Sequence, residues 1–391
     1  MLSPLSTARA LPRDAERATL IGRAWLPAVD GPSPVVVHNG VVHDLSSIAP
    51  TTSELFNLPD PVRAARTPGL PRVGTIDDLL RNSDEAARDP SKPWLLAPND
   101  LQAIKAAGVT FVSSMLERVI EEQARGDPAK AETVRRSLVG IIGEKLSVKP
   151  GSAEAARVKD ALIAQKVWSQ YLEVGIGPDA EIFTKSQPMS AVGTGADIGI
   201  HPKSSWNNPE PEIVLAVSAE GRVVGATLGN DVNLRDFEGR SALLLSKAKD
   251  NTGSCAIGPF VRLFDEHYGI DDVRRADIAL RVDGNDGFVL DGASSMSAIS
   301  RDPLDLAHQA MAGNHQYPDG YVLFLGTMFA PIQDRHGPGQ GFTHAIGDVV
   351  TVSTPTLGAL VNRVKTSDAV APWTMGAVAL MSNLARRGVL R

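Results

Sequence analysis

Three acidic side chains in one stretch of the chain have the spacing of a metal site. Glu210 and Glu212 stand two residues apart at the start of an apolar run, and strand residues alternate between faces with period two, so both carboxylates point to one face. A second apolar run, 223–228, follows a turn at 219–222 and ends shortly before Asp231. In a hairpin centred near residue 221, Asp231 lies opposite Glu212, within one or two residues of register.

Carboxylates that converge at one end of a hairpin repel one another, so they must share a cation or a proton. A site made only of oxygen ligands suits a hard divalent ion, which we take to be Mg²⁺, with Mn²⁺ or Ca²⁺ as substitutes. Any one of these acids alone would be typical of a solvated strand end. The metal site is favoured because all three occur together with Asn230 and the pair Arg235-Asp236.

The same residues resemble the metal site of the fumarylacetoacetate hydrolase superfamily, which has Glu-x-Glu, a hairpin, and then Asn-Asp-x-x-x-Arg-Asp, here at 230–236. The segments 246–250 and 257–260 resemble the Gly-Lys-x-x-Asp and Gly-Pro-Trp stretches of that family. The whole chain looks most like the subgroup of dehydratases that act on 2-keto-3-deoxy-D-xylonate or D-arabinonate.

This resemblance implies roles for individual side chains. Glu210, Glu212 and Asp231 would bind the metal, and Lys247 would hold an enolate oxygen or act as a base. The residues on the substrate side would be Lys185, Ser186, Arg235 and Thr327. Arg235 and Asp236 would also orient Asp231, whereas Lys249 is expected to be a surface or structural residue.

A lid motif of the family, Asn-Tyr-x-x-His-x-x-Glu, aligns with residues 110–117. Its glutamate is Glu117, but its histidine has become Ser114, and a serine cannot activate water at neutral pH without a base of its own. We expect Glu117, with Ser114, to move protons, its pKa raised in an apolar lid. An equally good interpretation places Glu117 on the solvated face of a helix.

The function that follows from the resemblance is a Mg²⁺-dependent hydro-lyase. It would convert a 2-keto-3-deoxy-D-pentonate to 2,5-dioxopentanoate through a metal-stabilised enolate and loss of the C4 hydroxyl, in oxidative, non-phosphorylative pentose degradation. The alternative on the same metal site is a hydrolase that cleaves a carbon–carbon bond of an acylpyruvate or diketo acid, or an oxaloacetate decarboxylase. A non-catalytic binding protein is disfavoured by the intact ligand set.

Composition excludes several other classes of partner. The chain has 391 residues, a formal net charge of −6 and 43% hydrophobic residues, so it has no basic footprint for nucleic acid or anionic membranes. No apolar run approaches transmembrane length. The single cysteine, Cys255, fits a reducing cytoplasm. The expected partner is a small 2-oxo sugar acid, and the resemblance implies a homodimer or homotetramer.

The pattern of apolar residues predicts an α+β, β-rich fold, and the resemblance implies a mixed β-sandwich roll. We expect a small N-terminal β domain and linker at 1–95, a helical lid region at 96–172 and the metal-binding domain at 173–391. Helices are predicted at 101–107, 113–125 and 152–172, and the β-rich domain is predicted to begin at 173–176. Asn39-Gly40 predicts the tip of a hairpin.

Overall fold

The computed structural model describes residues 5–142, 148–164, 166, 168–327, 331–338 and 340–390. The strands are β1 (Leu20–Leu26), β2 (Gly31–His38), β3 (Val41–Asp44), β4 (Arg72–Thr75), β5 (Trp94–Leu96), β6 (Ala103–Gly108), β7 (Glu181–Ser186), β8 (Asp197–Ile200), β9 (Asn207–Asn208), β10 (Pro211–Val217), β11 (Val223–Asp231), β12 (Asn233–Leu234), β13 (Cys255–Leu263), β14 (Asp277–Asp283), β15 (Val289–Ser295), β16 (Tyr321–Phe324), β17 (Val349–Thr354) and β18 (Gly358–Thr366). The helices are α1 (Thr7–Ala10), α2 (Thr52–Asn57), α3 (Pro61–Ala65), α4 (Ile76–Ser83), α5 (Val112–Ala124), α6 (Pro128–Ile142), α7 (Ala153–Ala164), α8 (Gln170–Ile176), α9 (Arg235–Glu238), α10 (Leu245–Lys249), α11 (Ile270–Arg274), α12 (Pro303–Met311) and α13 (Ala377–Arg386).

The larger of two main sheets has the predicted metal-binding hairpin in its interior. Its strand order is β4-β3-β2-β1-β13-β11-β10-β16-β6-β7, with β5 paired to β1. The β10–β11 pairing places Glu212 beside Gly229. Asp231 therefore lies opposite Glu210, whose carbonyl accepts a hydrogen bond of 3.0 Å from the Asp231 amide. The predicted partner of Asp231 was Glu212, so the observed register is shifted by two residues, which is within the range of one or two residues given with that prediction.

A second sheet packs against the first and closes the main core. Its order is β15-β14-β17-β18-β8, and the side chains of β14 alternate between exposed and buried, as one face of a sandwich requires. The core between the sheets includes Ile213 and Leu228 from the first sheet, and Leu280 and Val352 from the second. The α+β, β-rich class predicted from the sequence is confirmed.

The N-terminal strands belong to the large sheet and do not form a sheet of their own. Strand β1 pairs with β13, so hydrogen bonds cross the boundary predicted at residue 95, and β6 pairs in parallel with β16 across the boundary predicted at residue 172. The division into three domains stays a prediction. The hairpin at Asn39-Gly40 is present, and both residues have positive φ, 49° and 76°, as a two-residue turn of this kind needs.

Three secondary-structure predictions in the middle of the chain were wrong. Residues 101–107 contain strand β6, because a partner strand far away in sequence supplies the hydrogen bonds that a helix would have made internally. The helix predicted at 152–172 is two helices, α7 and α8, and Ser169 caps the second. Residues 173–176 end α8 and do not begin a strand. The helix at 113–125 is confirmed as α5. Within the described ranges, none of the helices has the length and apolar character needed to cross a bilayer.

Candidate active site

The structure brings the three predicted metal ligands together. Glu210 precedes β10, Glu212 lies on β10 and Asp231 ends β11, and each side chain is at most 2% exposed. One carboxylate oxygen from each residue lies within 4.8 Å of the others. The Gly326 amide donates a hydrogen bond of 2.7 Å to Glu212 Oε2, which fixes one side of that carboxylate. The three acids form a closed group of oxygen donors at the end of the hairpin.

Burial and neighbouring charges shift the pKa values of two of these acids, Glu212 and Asp231, in opposite directions. Burial raises the pKa of Glu212 well above its usual range, and the charges of Asp231 and Glu210 raise it further. Burial also acts to raise the pKa of Asp231, but ion pairs with Lys185 and Lys249 outweigh it and hold that pKa below its usual value. A buried set of carboxylates that cannot all ionise on their own fits a hard divalent cation.

Two buried lysines contact the group. Lys185 Nζ lies 2.8 Å from Asp231 Oδ1, and Lys249 Nζ lies 2.6 Å from Glu210 Oε2 and 3.0 Å from Asp231 Oδ2. Burial acts to lower the pKa of Lys249, but the charges of Asp231 and Glu210 outweigh it and raise that pKa above its usual value. Lys249 is therefore a fixed ammonium at neutral pH.

The placement of the two lysines of α10 corrects the sequence analysis. Lys249, expected to be a surface or structural residue, is 3% exposed and lies among the carboxylates. Lys247, expected in the site, is exposed, and its Nζ lies 5.8 Å from the centre of the Phe237 ring. Successive helical residues turn by 100°, so two lysines at positions i and i+2 point to nearly opposite sides. Only one of them can face the acids.

Helix α5 supplies a third cation, which the sequence did not reveal. Arg118 forms ion pairs with Glu210, with Glu121 at 2.7 Å and with Glu238 at 3.3 Å. Glu121 in turn accepts a bond of 2.6 Å from Arg235 Nε. This chain of buried ion pairs joins α5 to the metal-ligand end of the hairpin and to α9.

Glu117 lies elsewhere than its proposed role requires. Its carboxylate is bound by Arg135 and by Arg235, at 2.8 and 2.9 Å. Burial acts to raise the pKa of Glu117, but these arginines outweigh it and lower that pKa, which contradicts the expectation of a raised value. The carboxylate is not a solvated surface group, and Glu117 does not line the cavity beside the triad. Its two ion pairs connect α5 to α6 and to α9.

The remaining predicted residues divide between the site and its supports. Ser114 and Thr327 line the cavity beside the triad, and the Ser114 hydroxyl donates a bond of 3.0 Å to the Phe111 carbonyl. Ser186 is buried, and its hydroxyl donates to Asp250 Oδ1 at 2.9 Å. Arg235 binds Glu117 and Glu121 of α5, and Asp236 binds Ser204 and the Ser205 amide. These described contacts do not include Asp231, which both residues were expected to orient.

The cavity itself is small and strongly acidic. It has a volume of about 20 Å³, room for roughly one water molecule. Among the described residues, the carboxylates that line it are Glu181, Glu210, Glu212, Asp231 and Glu238. The buried cations that contact these acids are Arg118, Lys185 and Lys249. These acids outnumber the cations that contact them, so the cavity has an excess of negative charge that favours a bound cation.

Two of these acids, Glu181 and Glu238, were missed in the sequence. Strand periodicity could have identified Glu181, because positions 181, 183 and 185 share one face of β7 and Lys185 was already a candidate. Burial raises the pKa of Glu181 to about 7, with the charge of Glu238 as the next cause. No local signal indicated Glu238, which faces the cavity only because of how α9 packs.

The hairpin, its buried acids and the surrounding sandwich agree with a comparison of the sequence to protein-family models. The model described as fumarylacetoacetate (FAA) hydrolase C-terminal matches residues 163–365, more than half of the chain. The chain belongs to the fumarylacetoacetate hydrolase family. The mixed β-sandwich roll expected from the resemblance is thereby confirmed as the fold of this fumarylacetoacetate hydrolase family member.

Among curated proteins, this family member is 27% identical over 226 residues to a 2-dehydro-3-deoxy-D-arabinonate dehydratase of Saccharolobus solfataricus, which covers 58% of this chain and 70% of that protein. It is 27% identical over 270 residues to a protein of Haloferax volcanii named "Probable 2-keto-3-deoxyxylonate dehydratase", covering 68% of this chain and 87% of that one. A solved structure of 2-keto-3-deoxy-D-arabinonate dehydratase with magnesium and 2,5-dioxopentanoate superposes with a TM-score of 0.60 at 20% identity, covering 89% and 99% of the two chains. The structural likeness supports the shared fold.

Proposed function

We propose that this protein is a Mg²⁺-dependent dehydratase that converts a 2-keto-3-deoxy-D-pentonate, derived from D-xylonate or D-arabinonate, to 2,5-dioxopentanoate. The observation that carries the proposal is the buried triad of Glu210, Glu212 and Asp231, flanked by the ammonium groups of Lys185 and Lys249. Two curated relatives named as dehydratases of such acids support the hydro-lyase class and the substrate. The place of the reaction is oxidative pentose degradation, in a cytoplasmic homodimer or homotetramer.

The triad would hold the metal ion. Mg²⁺ suits its oxygen donors, and Mn²⁺ or Ca²⁺ would be substitutes. When bound, a divalent ion draws electron density from the C2 carbonyl of a 2-oxo acid and so makes the C3 hydrogen more acidic. Gly326, through its hydrogen bond to Glu212, keeps that ligand oriented while substrate binds.

Cationic and hydroxyl groups of the chain hold the substrate. Lys249 takes the role first given to Lys247: as a fixed ammonium it donates hydrogen bonds to the C2 oxygen and stabilises the negative charge that develops there. Thr327 lines the same cavity and can donate to the C1 carboxylate. Lys185 has no exposed surface and is placed to hold Asp231, so it acts on the substrate only through that ligand.

Glu181 is the group best placed to accept the C3 proton. It lines the cavity, and its pKa near 7 lets it exist as a carboxylate at neutral pH and still hold a proton once it has received one. Glu117 is excluded from this role by its two arginine partners. Ser114 lines the cavity with its hydroxyl directed to a carbonyl, which suits a wall residue better than a base.

A five-carbon acid needs more room than the cavity provides, so its walls must separate to admit substrate. Helix α5 forms one wall through Ser114 and Arg118. In the closed position, Arg118 of α5 forms ion pairs with Glu210 and Glu238, and Glu121 of α5 forms one with Arg235. We expect the helix to return to this position after substrate has entered. Closure would then exclude bulk water, which protects a reactive intermediate from side reactions.

Product identification tests the proposal directly. The protein is incubated with Mg²⁺ and 2-keto-3-deoxy-D-xylonate or D-arabinonate, with an acylpyruvate and oxaloacetate in parallel tubes, and each reaction is repeated with chelator. We expect 2,5-dioxopentanoate from the sugar acid only, and only with metal. Pyruvate formed from the acylpyruvate would instead support the hydrolase, and pyruvate formed from oxaloacetate with release of CO₂ would support the decarboxylase. Either reaction would have to proceed without a histidine, because none is among the described residues that line the cavity.

A further inference from the structure

Glu238 is a buried acid that faces the cavity and is neither a proposed metal ligand nor the proposed base. It ends the short helix α9, is 4% exposed and lines the same cavity as the triad and Lys249. Among the described residues, it is not part of the group of acids close enough to share a metal ion. Its Oε2 lies 3.3 Å from an Arg118 nitrogen but makes no hydrogen bond within the described part of the chain.

Dehydration requires two proton transfers, one from C3 to a base and one from an acid to the leaving C4 hydroxyl. After the C3 proton has gone to a base, the C4–O bond must break, and hydroxide is a poor leaving group unless an acid protonates it. Glu181 receives the C3 proton, and Lys249 serves the C2 oxygen. The hydroxyl of Ser114 is already donated to a backbone carbonyl. Among the described residues that line the cavity, Glu238 is the remaining acid outside the triad.

We propose that Glu238 is a catalytic residue that protonates the C4 hydroxyl of the substrate as it leaves. This inference rests on the proposed function and deepens it. The C3–H bond breaks, its proton goes to Glu181, its electron pair forms the C2–C3 double bond, and the carbonyl pair moves onto the C2 oxygen. The C4–O bond then breaks: its electron pair leaves with the hydroxyl, which takes the proton of Glu238 and departs as water. As the C2 carbonyl re-forms, the electron pair of the C2–C3 double bond moves to form the C3–C4 double bond, so that one water is lost overall. Isomerisation of this enone through a dienol, which moves protons from C5 and its hydroxyl to C3 and C4, gives 2,5-dioxopentanoate, and no oxidant or reductant is needed.

The surroundings of Glu238 suit an acid that must keep a proton until it is used. Burial raises the pKa of this carboxyl, and the nearby charge of Arg118 offsets only part of the rise. Arg118 is the residue that would stabilise the carboxylate after the proton is given away, since it already contacts Oε2. The same arginine contacts Glu210, so it holds the Glu238 carboxyl at a fixed position relative to this proposed metal ligand.

The test separates the two proton transfers with the substitution Glu238→Gln, which keeps the shape of the side chain and removes the acid. Substrate is incubated with enzyme and Mg²⁺ in D₂O, and mass spectrometry measures deuterium gained at C3 together with product formed. We expect E238Q to lose dehydration at least about 100-fold, while total C3 proton loss, exchange plus dehydration, stays within about threefold of wild type. A parallel fall of both rates, or unchanged dehydration, would overturn the assignment.

Control variants distinguish an acid from a structural residue. Glu121 also forms an ion pair with Arg118 but does not line the cavity, so E121Q removes one carboxylate partner of that arginine and should leave the ratio of exchange to dehydration unchanged. E238D retains an acid and should recover dehydration at least about tenfold relative to E238Q; equal loss in both would contradict a proton-donating role. If the wild-type protein dehydrates no 2-keto-3-deoxy acid, the proposed function is wrong. If the wild-type protein does so, and E238Q changes C3 proton loss and dehydration by the same factor, only the assignment of Glu238 is wrong.

Discussion

Two lysines of one short helix give opposite expectations for the same substitution. In Lys249→Met, an ammonium 2.6 and 3.0 Å from two buried carboxylates is replaced by an uncharged side chain of similar length. Removing one partner of a buried ion pair costs about 3–5 kcal/mol, because the other charges remain buried. In Lys247→Met, an exposed lysine is changed, and such surface substitutions usually stay within about 0.5 kcal/mol.

The length of the chain converts these energies into melting temperatures. At about 2.1 cal/mol/K of unfolding entropy per residue, 391 residues give about 0.8 kcal/mol/K. K249M should therefore melt about 4–6 °C below wild type, and K247M within about 1 °C of it. Removal of a group that stabilises developing charge also predicts that K249M loses turnover about 100- to 1000-fold, whereas K247M keeps it.

The assay is a pair of thermal melts in chelator, with turnover of the 2-keto-3-deoxypentonate measured separately at saturating Mg²⁺. Chelator keeps metal binding from masking the loss of the ion pair. Loss of activity and stability in K247M with a near-normal K249M would refute the placement of the two side chains. Equal small effects in both would show that the ion pairs of Lys249 contribute little, contrary to the reasoning from burial.

Four further outcomes follow from the same geometry. Mg²⁺ at 100 times its Kd should raise the melting temperature by about 3 °C, from about 2.7 kcal/mol of linkage, and E212Q should abolish both this rise and turnover while remaining folded. G326A should weaken Mg²⁺ binding in calorimetry and destabilise the fold by more than about 1 kcal/mol, because Gly326 has φ +96° and a Cβ there would overlap the Thr110 hydroxyl; unchanged affinity would contradict this. The pH profile of kcat/KM should rise through an apparent pKa near 7, since Glu181 accepts a proton only when ionised, and E181Q should lose most activity together with this limb. E117Q should lower the melting temperature but reduce turnover less than about tenfold, and a loss as large as that of E181Q would restore Glu117 as the base.

The sequence was most informative where structure is local. The β10–β11 hairpin, its turn and the triad follow from period-two alternation and a short loop, all within 22 residues. Helix α5 was also predicted within one residue at each end. The helix predicted at 101–107 was wrong, because leucine, glutamine, alanine and lysine favour a helix locally. The pairing of β6 with β16 overrides that preference from more than 200 residues away.

The parts of the site that could not be predicted depend on contacts between distant elements. Arg118 meets Glu210 across 92 residues, and no spacing rule links them. The choice between Lys247 and Lys249 depends on which side of α10 packs inward, which its short sequence does not define. Glu117 matched the motif of the lid, but its function follows from Arg135 and Arg235, which the motif does not include.

The pairing of strands also limits how this protein can be divided. A fragment cut to the family-matched residues 163–365 would lack β1 and β6, the neighbours of β13 and β16. The buried, strongly apolar strands β13 and β16 would then have unpaired backbone N–H and C=O groups. Exposed strands of this kind pair with strands of other molecules and cause aggregation. The segment that sequence similarity marks out is therefore smaller than the unit held together by strand pairing, and expression trials or domain fusions should keep the strands from residue 20 onwards.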